Sequence, residues 1–268
     1  MVSIAQCQEQ YVAEGFTVLR SVIPVTLIHD LRHQADIARR IARSLHGPRV
    51  QRLEPIYAYE DLDHHLFDEV LNLPDLVDAV AALLGDGHGT QRLMAMLFEP
   101  QDKPWCTNWH RDWRDHVPGL SLDRYHEAAQ NLRMFNQFNA PLYDDNSLFV
   151  VPFSHNRPST SAEATAFPDI PARGPPLTED QTPVEREFAC REYVAAMPGS
   201  VGVPLRAGDI AFYRASLWHL GAYVPHVRRA TLHDGFFGAE DISWQQEMIP
   251  LVSTDAYLRR LRGQDDAY

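Results

Sequence analysis

The feature that most constrains the fold is a series of short apolar runs that begins near Arg92 and continues for most of the remaining chain. Proline, glycine, aspartate and asparagine separate these runs, as they separate strands in all-β proteins. The candidate strands are 93–98, 105–112, 132–142, 147–152, 201–205, 210–213 and 230–237. Many short strands joined by such breakers favour an antiparallel jelly roll or barrel.

The first ninety residues have a different pattern and are predicted to be mostly helical. A helix over 8–14 should end at Gly15 and lead into a strand over 16–19. Apolar residues recur at three- and four-residue intervals from Pro24 to about Ala42 and again over 66–84, which predicts two longer helices. We therefore expect a mainly β fold with flanking helices.

Domain organisation follows from the absence of an internal repeat or a clean linker in the sequence. We expect one domain over 1–268, with a helical flank at 1–90, a jelly-roll core at 91–240 and a C-terminal segment at 241–268. Residues 157–183 are rich in proline, serine, threonine and alanine and show no periodic pattern. Such a stretch is either a lid over the barrel mouth or a surface insertion.

Charge and cysteine content exclude several classes of protein. The 24 basic and 36 acidic residues give a net charge of −12, which argues against binding to nucleic acid or an anionic membrane. The three cysteines form no CxxC pair, so a disulfide scaffold or zinc ribbon is not expected. With no leader or membrane-spanning pattern, we predict a cytoplasmic protein whose partner is a small molecule. The oligomeric state stays open.

The tripeptide His110-Arg111-Asp112 carries the clearest chemical signal. On an extended segment, side chains two residues apart share a face, so this imidazole and this carboxylate could bind one metal ion. His219, from a later strand, would complete a set of two histidines and one carboxylate, the usual cage for non-haem Fe(II) in oxygenases. The alternative is a surface pair that arises by chance among 13 histidines.

Four ordered segments resemble the phytanoyl-CoA dioxygenase-like family of Fe(II)/2-oxoglutarate oxygenases. They are the opening strand region 11–23, the metal motif 109–113, the segment 139–155, and a closing block formed by 208–213, 218–219 and 228–230. Phe153 stands where the family has the glycine of Pro-Gly-Ser-His. Ser147 stands at a turn glycine, and Gly221 at a position that often has a hydroxyl side chain.

The resemblance implies a double-stranded β-helix (a cupin-like jelly roll) with Fe(II) on His110, Asp112 and His219. It implies that 2-oxoglutarate is the co-substrate, that O2 is consumed, and that succinate and CO2 are released. Arg228, which precedes a second arginine and an alanine, is expected to hold the far carboxylate of 2-oxoglutarate; Arg229 is the alternative. The expected reaction is hydroxylation of a small biosynthetic or secondary-metabolite intermediate.

Further site residues are expected near the metal. Arg133, Phe135, Gln137 and Asn139 alternate along one predicted strand, so they share a face that is either inside the barrel or solvated. We expect Gln137 to contact the co-substrate, and the substrate pocket to include Asn139, Arg133 and Trp113, one of four tryptophans near the ligands.

The sequence is also compatible with other interpretations. His116 could bind the metal only if the segment after Asp112 were helical, whereas the pattern over 105–113 favours a strand. The chain could be a cupin-like metalloenzyme that does not use 2-oxoglutarate, and replacing Arg228 would distinguish that alternative. It could also be a non-catalytic descendant that only binds a small molecule, although an intact triad argues against this.

Overall fold

The computed structural model describes residues 3–117 and 120–248, and within these ranges ten strands form two antiparallel sheets. The strands are β1 (Phe16–Leu19), β2 (Arg52–Leu53), β3 (Ala95–Phe98), β4 (Trp105–Cys106), β5 (Asn136–Pro141), β6 (Leu148–Val150), β7 (Val201–Gly202), β8 (Ile210–Arg214), β9 (His219–Tyr223) and β10 (Ala230–Asp234). The larger sheet has the order β1-β8-β5-β10-β3-β2, and the smaller sheet has the order β4-β9-β6-β7. The predicted jelly roll with flanking helices is confirmed.

Eight α-helices surround the sheets within the same ranges. They are α1 (Ile4–Glu14), α2 (Val25–His46), α3 (His64–Leu71), α4 (Pro74–Leu84), α5 (Leu122–Ala129), α6 (Ser161–Ala166), α7 (Pro183–Ala195) and α8 (Ala239–Met248). No helix among the described residues is long and apolar enough to cross a membrane. Of the predicted C-terminal segment, 249–268 lie outside the described residues.

The largest core lies between the helices of the first ninety residues and the outer face of the larger sheet. Leu31 of α2 and Leu76 of α4 are fully buried there, together with Leu232 of β10. Because side chains alternate along a strand, the neighbours Thr231 and His233 point to the opposite face. That inner face, between the two sheets, is where the candidate site lies.

Several predicted boundaries were wrong. The helix expected over 66–84 is two helices, because Pro74 begins α4 and has no backbone N–H to continue α3. The strand expected over 105–112 is only Trp105–Cys106, followed by an isolated bridge between His110 and His219. Helices α5 and α7 and strand β9 were missed. The segment 157–183 contains the short helix α6.

Phe153 occupies the glycine position of the family segment and adopts a left-handed conformation, with φ of 65°. This conformation costs a residue with a Cβ roughly 1–2 kcal/mol relative to right-handed backbone. The backbone N–H of Phe153 donates to the carbonyl of Glu14 (3.0 Å), so the turn is tied to the end of α1. The turn geometry is therefore kept without the glycine.

Asp234, at the end of β10, is a buried carboxyl that should make stability depend on pH. Burial raises its pKa to about 7, and among the described residues only Oδ1 has a hydrogen-bond partner, the N–H of Gly235 (2.7 Å). Since the folded pKa lies above the unfolded one, the stabilising contribution is complete below about pH 4. It is lost as the pH rises through about 7.

We therefore expect Asp234→Asn to be more stable than wild type at pH 8.5, by up to about 4 kcal/mol, and by a smaller margin of about 1.5 kcal/mol at pH 5. Urea unfolding at the two pH values measures this difference. Asp30→Asn, on an exposed face of α2, is the control and should follow wild type at both. An equal difference between Asp234→Asn and wild type at both pH values would contradict the prediction.

Candidate metal centre

The backbones of His110 and His219 are paired in the smaller sheet, where the segment after β4 runs beside the start of β9. The N–H of His110 donates to the carbonyl of His219 (3.1 Å), and the N–H of His219 donates to the carbonyl of His110 (3.0 Å). The two imidazole rings are tilted by 54° to each other, with centroids 4.2 Å apart. This reciprocal pair places both side chains on one face, inside the barrel.

Asp112 lies between the two imidazoles. Its Oδ1 is 3.7 Å from Nε2 of His110, and its Oδ2 is 3.6 Å from Nε2 of His219. These separations are long for hydrogen bonds. They fit within the span of two metal–ligand bonds of about 2.1 Å each. The three side chains predicted to bind a metal are therefore brought together.

Hydrogen bonds to the backbone fix the tautomer of each imidazole. Nδ1 of His110 lies 2.6 Å from the carbonyl of Asn108, and Nδ1 of His219 lies 2.8 Å from the carbonyl of Leu217. A carbonyl only accepts, so each Nδ1 carries the proton and each Nε2 keeps its lone pair. Metal-binding histidines are commonly oriented in this way.

The charge states also suit a cation. Burial lowers the pKa of His110, and burial together with His110 lowers the pKa of His219 to about 4, so both rings are neutral near pH 7. Burial alone would raise the pKa of Asp112. A hydrogen bond from His116 and the neighbouring imidazoles outweigh this effect and hold the pKa well below its usual value. The donors are two neutral nitrogens and one carboxylate.

His116 joins the same cluster, which the sequence analysis did not expect. Its Nδ1 is 3.1 Å from Oδ1 of Asp112, and the possible ligand atoms of His110, Asp112 and His116 all lie within 4.8 Å of one another. The reason is local: Trp113 adopts a left-handed conformation, with φ of 66°, and the chain turns there. The strand expected over 105–113 was wrong here, and the turn that replaces it brings His116 to Asp112.

A cavity of about 640 Å³ opens onto these side chains. Gln137 and Asn139 of β5 line it, as the inward-facing interpretation of that strand predicted. The amide nitrogen of Gln137 lies 3.1 Å from Nε2 of His219, and Oδ1 of Asn139 lies 2.8 Å from Nδ1 of His233. Both amides are therefore fixed beside the candidate metal centre.

The two arginines at the start of β10 lie on opposite faces of the sheet. Arg228 is half exposed, ion-paired with Asp36 of α2, and does not line the cavity. Arg229 is only 7% exposed and lines the cavity, with Nε donating to Oδ2 of Asp145 (2.9 Å). Because alternation puts residue 229 on the face of Thr231 and His233, the inward arginine is Arg229.

Trp113 and Arg133 do not line the cavity. The Trp113 ring packs edge-on against Trp244, with centroids 5.2 Å apart. Arg133 is exposed beside Gly85, because Phe135 has a φ of 55° and breaks the alternation before β5 begins. The predicted common face of 133–139 therefore holds only from residue 137 onward.

Arg52 is a cavity residue that the sequence analysis missed. It comes from β2 at the edge of the larger sheet, and its Nε lies 2.5 Å from Oε2 of Glu54. Burial acts to lower its pKa, but the charge of Glu54 outweighs burial and raises it. A two-residue strand has no recognisable period, so no sequence signal marked this arginine.

Gly221, the other departure from the family pattern, has a steric explanation. A Cβ at this position would meet the hydroxyl of Tyr223, which occupies the space beside the backbone. The ring of Tyr223 also packs against the guanidinium of Arg229, 4.8 Å from the ring centroid. Tyr223 and Arg229 border both the metal cavity and a second cavity of about 540 Å³. Tyr223 therefore places a hydroxyl group beside position 221, where the family often has a hydroxyl side chain.

Neither a protein-family model nor a curated protein sequence matches the chain. Solved structures do. AviO1 from Streptomyces viridochromogenes Tue57 aligns with a TM-score of 0.58 and 17% identity, over 89% of this chain and 96% of AviO1.

The non-heme alpha ketoglutarate dependent epimerase SnoN from nogalamycin biosynthesis aligns with a TM-score of 0.55 and 15% identity, over 88% of this chain and 81% of SnoN. EctD from S. alaskensis, solved with 2-oxoglutarate and 5-hydroxyectoine, aligns with a TM-score of 0.58 and 17% identity, over 88% of this chain and 77% of EctD. This chain therefore has the same double-stranded β-helix fold as these enzymes.

Proposed function

We propose that this protein is a non-haem Fe(II)- and 2-oxoglutarate-dependent oxygenase that acts on a small molecule. The observation that carries the proposal is the donor set of His110, Asp112 and His219. Both imidazoles present an unprotonated Nε2 toward the Asp112 carboxylate at 3.6–3.7 Å, and all three side chains line the same cavity. The solved structures of the same fold include EctD with bound Fe, which supports the assignment.

Iron fits these side chains because two histidines and one carboxylate on one side of an ion leave adjacent positions open. When bound there with 2-oxoglutarate, Fe(II) would supply the oxygen chemistry, with succinate and CO2 as by-products. The protein contributes orientation and a dry site. Asn108 and Leu217 hold the imidazole rings through their Nδ1 atoms, and His116 holds the carboxylate of Asp112.

Arg229, rather than Arg228, is the proposed partner of the far carboxylate of 2-oxoglutarate. Asp145 holds its Nε, and neither Nη has a hydrogen-bond partner among the described residues. Guanidinium and carboxylate pair through parallel hydrogen bonds, so a pre-oriented arginine suits this co-substrate. Gln137 and the hydroxyl of Tyr223 are the neighbouring polar groups proposed to contact it.

The substrate is proposed to be a polar small molecule from biosynthetic or secondary metabolism. The cavity wall carries Arg52, Asn139 and His233 beyond the metal ligands, so a purely apolar substrate would leave several polar groups unpaired. Hydroxylation is the expected outcome. SnoN, which shares this fold, is an epimerase, so an outcome other than hydroxylation is also compatible with the fold.

An anaerobic titration of full-length protein with Fe(II) and then 2-oxoglutarate tests the proposal, with the weak visible charge-transfer band of the chelate as the readout. Wild type should develop the band, and His219→Ala should not. His226→Ala is the matched control, because it replaces a histidine that does not line the metal cavity. If iron binds to wild type without the band, 2-oxoglutarate is not the co-substrate.

The position of His116 favours a second candidate, a cupin-like metalloenzyme that does not use 2-oxoglutarate. His110, Asp112 and His116 already offer three ligand atoms within 4.8 Å of one another, and Asp145 already pairs with Arg229, so neither the metal nor this arginine requires a co-substrate. In that case His116→Ala should weaken metal binding as strongly as His219→Ala does. If His116 only orients Asp112, His116→Ala should weaken metal binding by about 10–100-fold, the loss typical when a hydrogen-bond partner of a metal ligand is removed.

A further inference from the structure

Arg52 is a cation of the cavity wall to which the proposed oxygenase chemistry gives no role. Its neighbour Leu53 is fully buried in the core beneath the helices, so strand alternation turns Arg52 to the inner face of the larger sheet. There it lines the metal cavity. Glu54 holds Nε of the guanidinium (2.5 Å), whereas Nη1 and Nη2 have no hydrogen-bond partner among the described residues. The outer edge of this guanidinium is therefore available to a ligand.

Three other cations that line the cavity are directed at oxygen atoms of the protein. Lys103 donates to the carboxylate of Glu179 (2.8 Å), and Arg49 lies 3.7 Å from Asp102. Arg186 donates to two backbone carbonyls (3.1 and 2.8 Å). These residues come from loops and from α7 rather than from the sheet. A strand holds a side chain more precisely than a loop does, which favours Arg52 as the residue that orients a ligand.

The strand register fixes the position of Arg52 relative to the rest of the inner face. Arg52 of β2 is opposite Leu97 of β3, and Leu97 is opposite Thr231 of β10. Neighbouring strands lie about 4.8 Å apart, so Arg52 is about 10 Å from β10 across the sheet. His233 is two residues beyond Thr231 and shares its face. One wall of the cavity therefore carries Arg52 and His233, with Leu97 and Ala95 of β3 between them.

His233 supplies a hydrogen-bond acceptor to this wall. Its Nδ1 lies 3.1 Å from the carbonyl of Phe138 and 2.8 Å from Oδ1 of Asn139, so Nδ1 carries the proton. Burial and the charge of Arg52 lower its pKa to about 3, so the ring is neutral near pH 7. Nε2 keeps its lone pair and has no partner among the described residues. The same wall thus offers a ligand one cation and one neutral acceptor.

Under the proposed function, 2-oxoglutarate does not account for Arg52. This co-substrate has two carboxylates, of which the near one is assigned to the metal and the far one to Arg229. Arg229 immediately precedes β10, and two strand spacings separate β10 from β2 in the larger sheet. An anionic group at Arg52 therefore has to belong to a second organic molecule in the cavity.

We propose that this second molecule is the substrate, and that it is a small carboxylic acid whose carboxylate binds Nη1 and Nη2 of Arg52. The end of a guanidinium meets the two oxygens of a carboxylate through parallel hydrogen bonds. Glu54 already offsets part of the positive charge, which favours a monoanion over a phosphate ester with two charges. His233 accepts a hydroxyl or amino hydrogen of the same molecule, and Leu97 contacts its carbon skeleton. The assignment rests on the proposed function and adds a substrate class to it.

Ligand-observed NMR tests the proposal on full-length protein loaded with Zn(II), which is redox-inactive, and saturating 2-oxoglutarate. The probes are lactate, 3-hydroxybutyrate, threonine, tyrosine and 4-hydroxyphenylacetate, each beside its methyl ester. At least one acid should receive saturation transfer while its ester does not. If no acid binds better than its ester, or if 2-oxoglutarate displaces every acid that binds, the proposal is wrong.

Variants locate the bound acid. The double variant Arg52→Gln/Glu54→Gln removes both charges of the pair, so it leaves no unpaired carboxylate, and it should weaken binding of that acid by roughly 10-fold or more. Arg49→Gln is the matched control, since it replaces another arginine of the cavity wall, and should bind the acid as wild type does. Equal losses in the two variants, or no loss in either while both remain folded by circular dichroism, would place the acid elsewhere and overturn the proposal.

The outcome is distinguishable from failure of the proposed function. A charge-transfer band with Fe(II) and 2-oxoglutarate, together with no acid bound, leaves the oxygenase function standing and overturns the assignment of the substrate. Acid binding that depends on Arg52, together with no band, overturns the oxygenase function and with it the role of that acid as an oxygenase substrate.

Discussion

Replacing Asp112 with alanine is expected to abolish Fe(II) binding, with a loss in affinity of at least about 100-fold. Asp112 is the only carboxylate within 4 Å of both His110 and His219 among the described residues, and it supplies the only formal negative charge of the donor set. Without it, two neutral imidazoles face the ion alone. Anaerobic isothermal titration with Fe(II), with metal analysis after desalting, measures the effect.

Asp123→Ala is the matched control, because it removes an exposed carboxylate from the next helix along the chain and should bind iron as wild type does. Far-ultraviolet circular dichroism should show that both variants are folded. If Asp112→Ala retained wild-type iron affinity, the cage would have to be built from the histidines alone, and the proposed oxygenase site would be wrong.

The second large effect is expected at Arg229. Removing a buried, hydrogen-bonded partner of a charged ligand commonly costs about 2–5 kcal/mol, which corresponds to a loss of roughly 30- to 5000-fold in 2-oxoglutarate affinity. Arg229→Gln should show this loss while iron still binds. Arg228→Gln should leave the affinity unchanged, because its side chain pairs with Asp36 outside the barrel.

A complication is that Arg229→Gln leaves Asp145 buried without its cation. The double variant Arg229→Gln/Asp145→Asn removes both charges together and separates loss of 2-oxoglutarate binding from loss of stability. Titration of the charge-transfer band gives the affinity of each variant. The opposite ranking, with Arg228 essential and Arg229 dispensable, would restore the sequence-based assignment.

The contrast between these two arginines shows what the sequence could have supplied. Ala230 and Leu232 are apolar and face the helical core, so strand alternation already places residues 229, 231 and 233 on the inner face. The family pattern of a basic pair before alanine led instead to Arg228. The period of the strand therefore indicated which arginine faces inward, whereas the family pattern was given more weight.

Other parts of the site had no local signal. His116 reaches Asp112, and Arg133 leaves the cavity face, because Trp113 and Phe135 adopt left-handed conformations. Aromatic residues rarely do so, and nothing in the neighbouring residues marks these positions. Phe135 and Trp113 instead pack around Trp244 of α8, so tertiary contacts determine the turns. The strands could be predicted from the apolar pattern, and the candidate metal ligands from the order of the motifs. The two turns could not, because they depend on tertiary contacts in the core.

The paired backbones of His110 and His219 have a consequence for how the protein would lose and regain its ion. Two hydrogen bonds between main-chain groups set the separation of these residues, and both are bonds of the sheet rather than bonds to an ion. In a zinc finger, by contrast, ion binding and folding are one event. Here closing the sheet already brings these two distant segments together, so that loss of chain entropy does not have to accompany ion binding. Under the proposed function, chelation should therefore leave a folded protein that can be reloaded, so that loss of iron would inactivate the molecule without unfolding it.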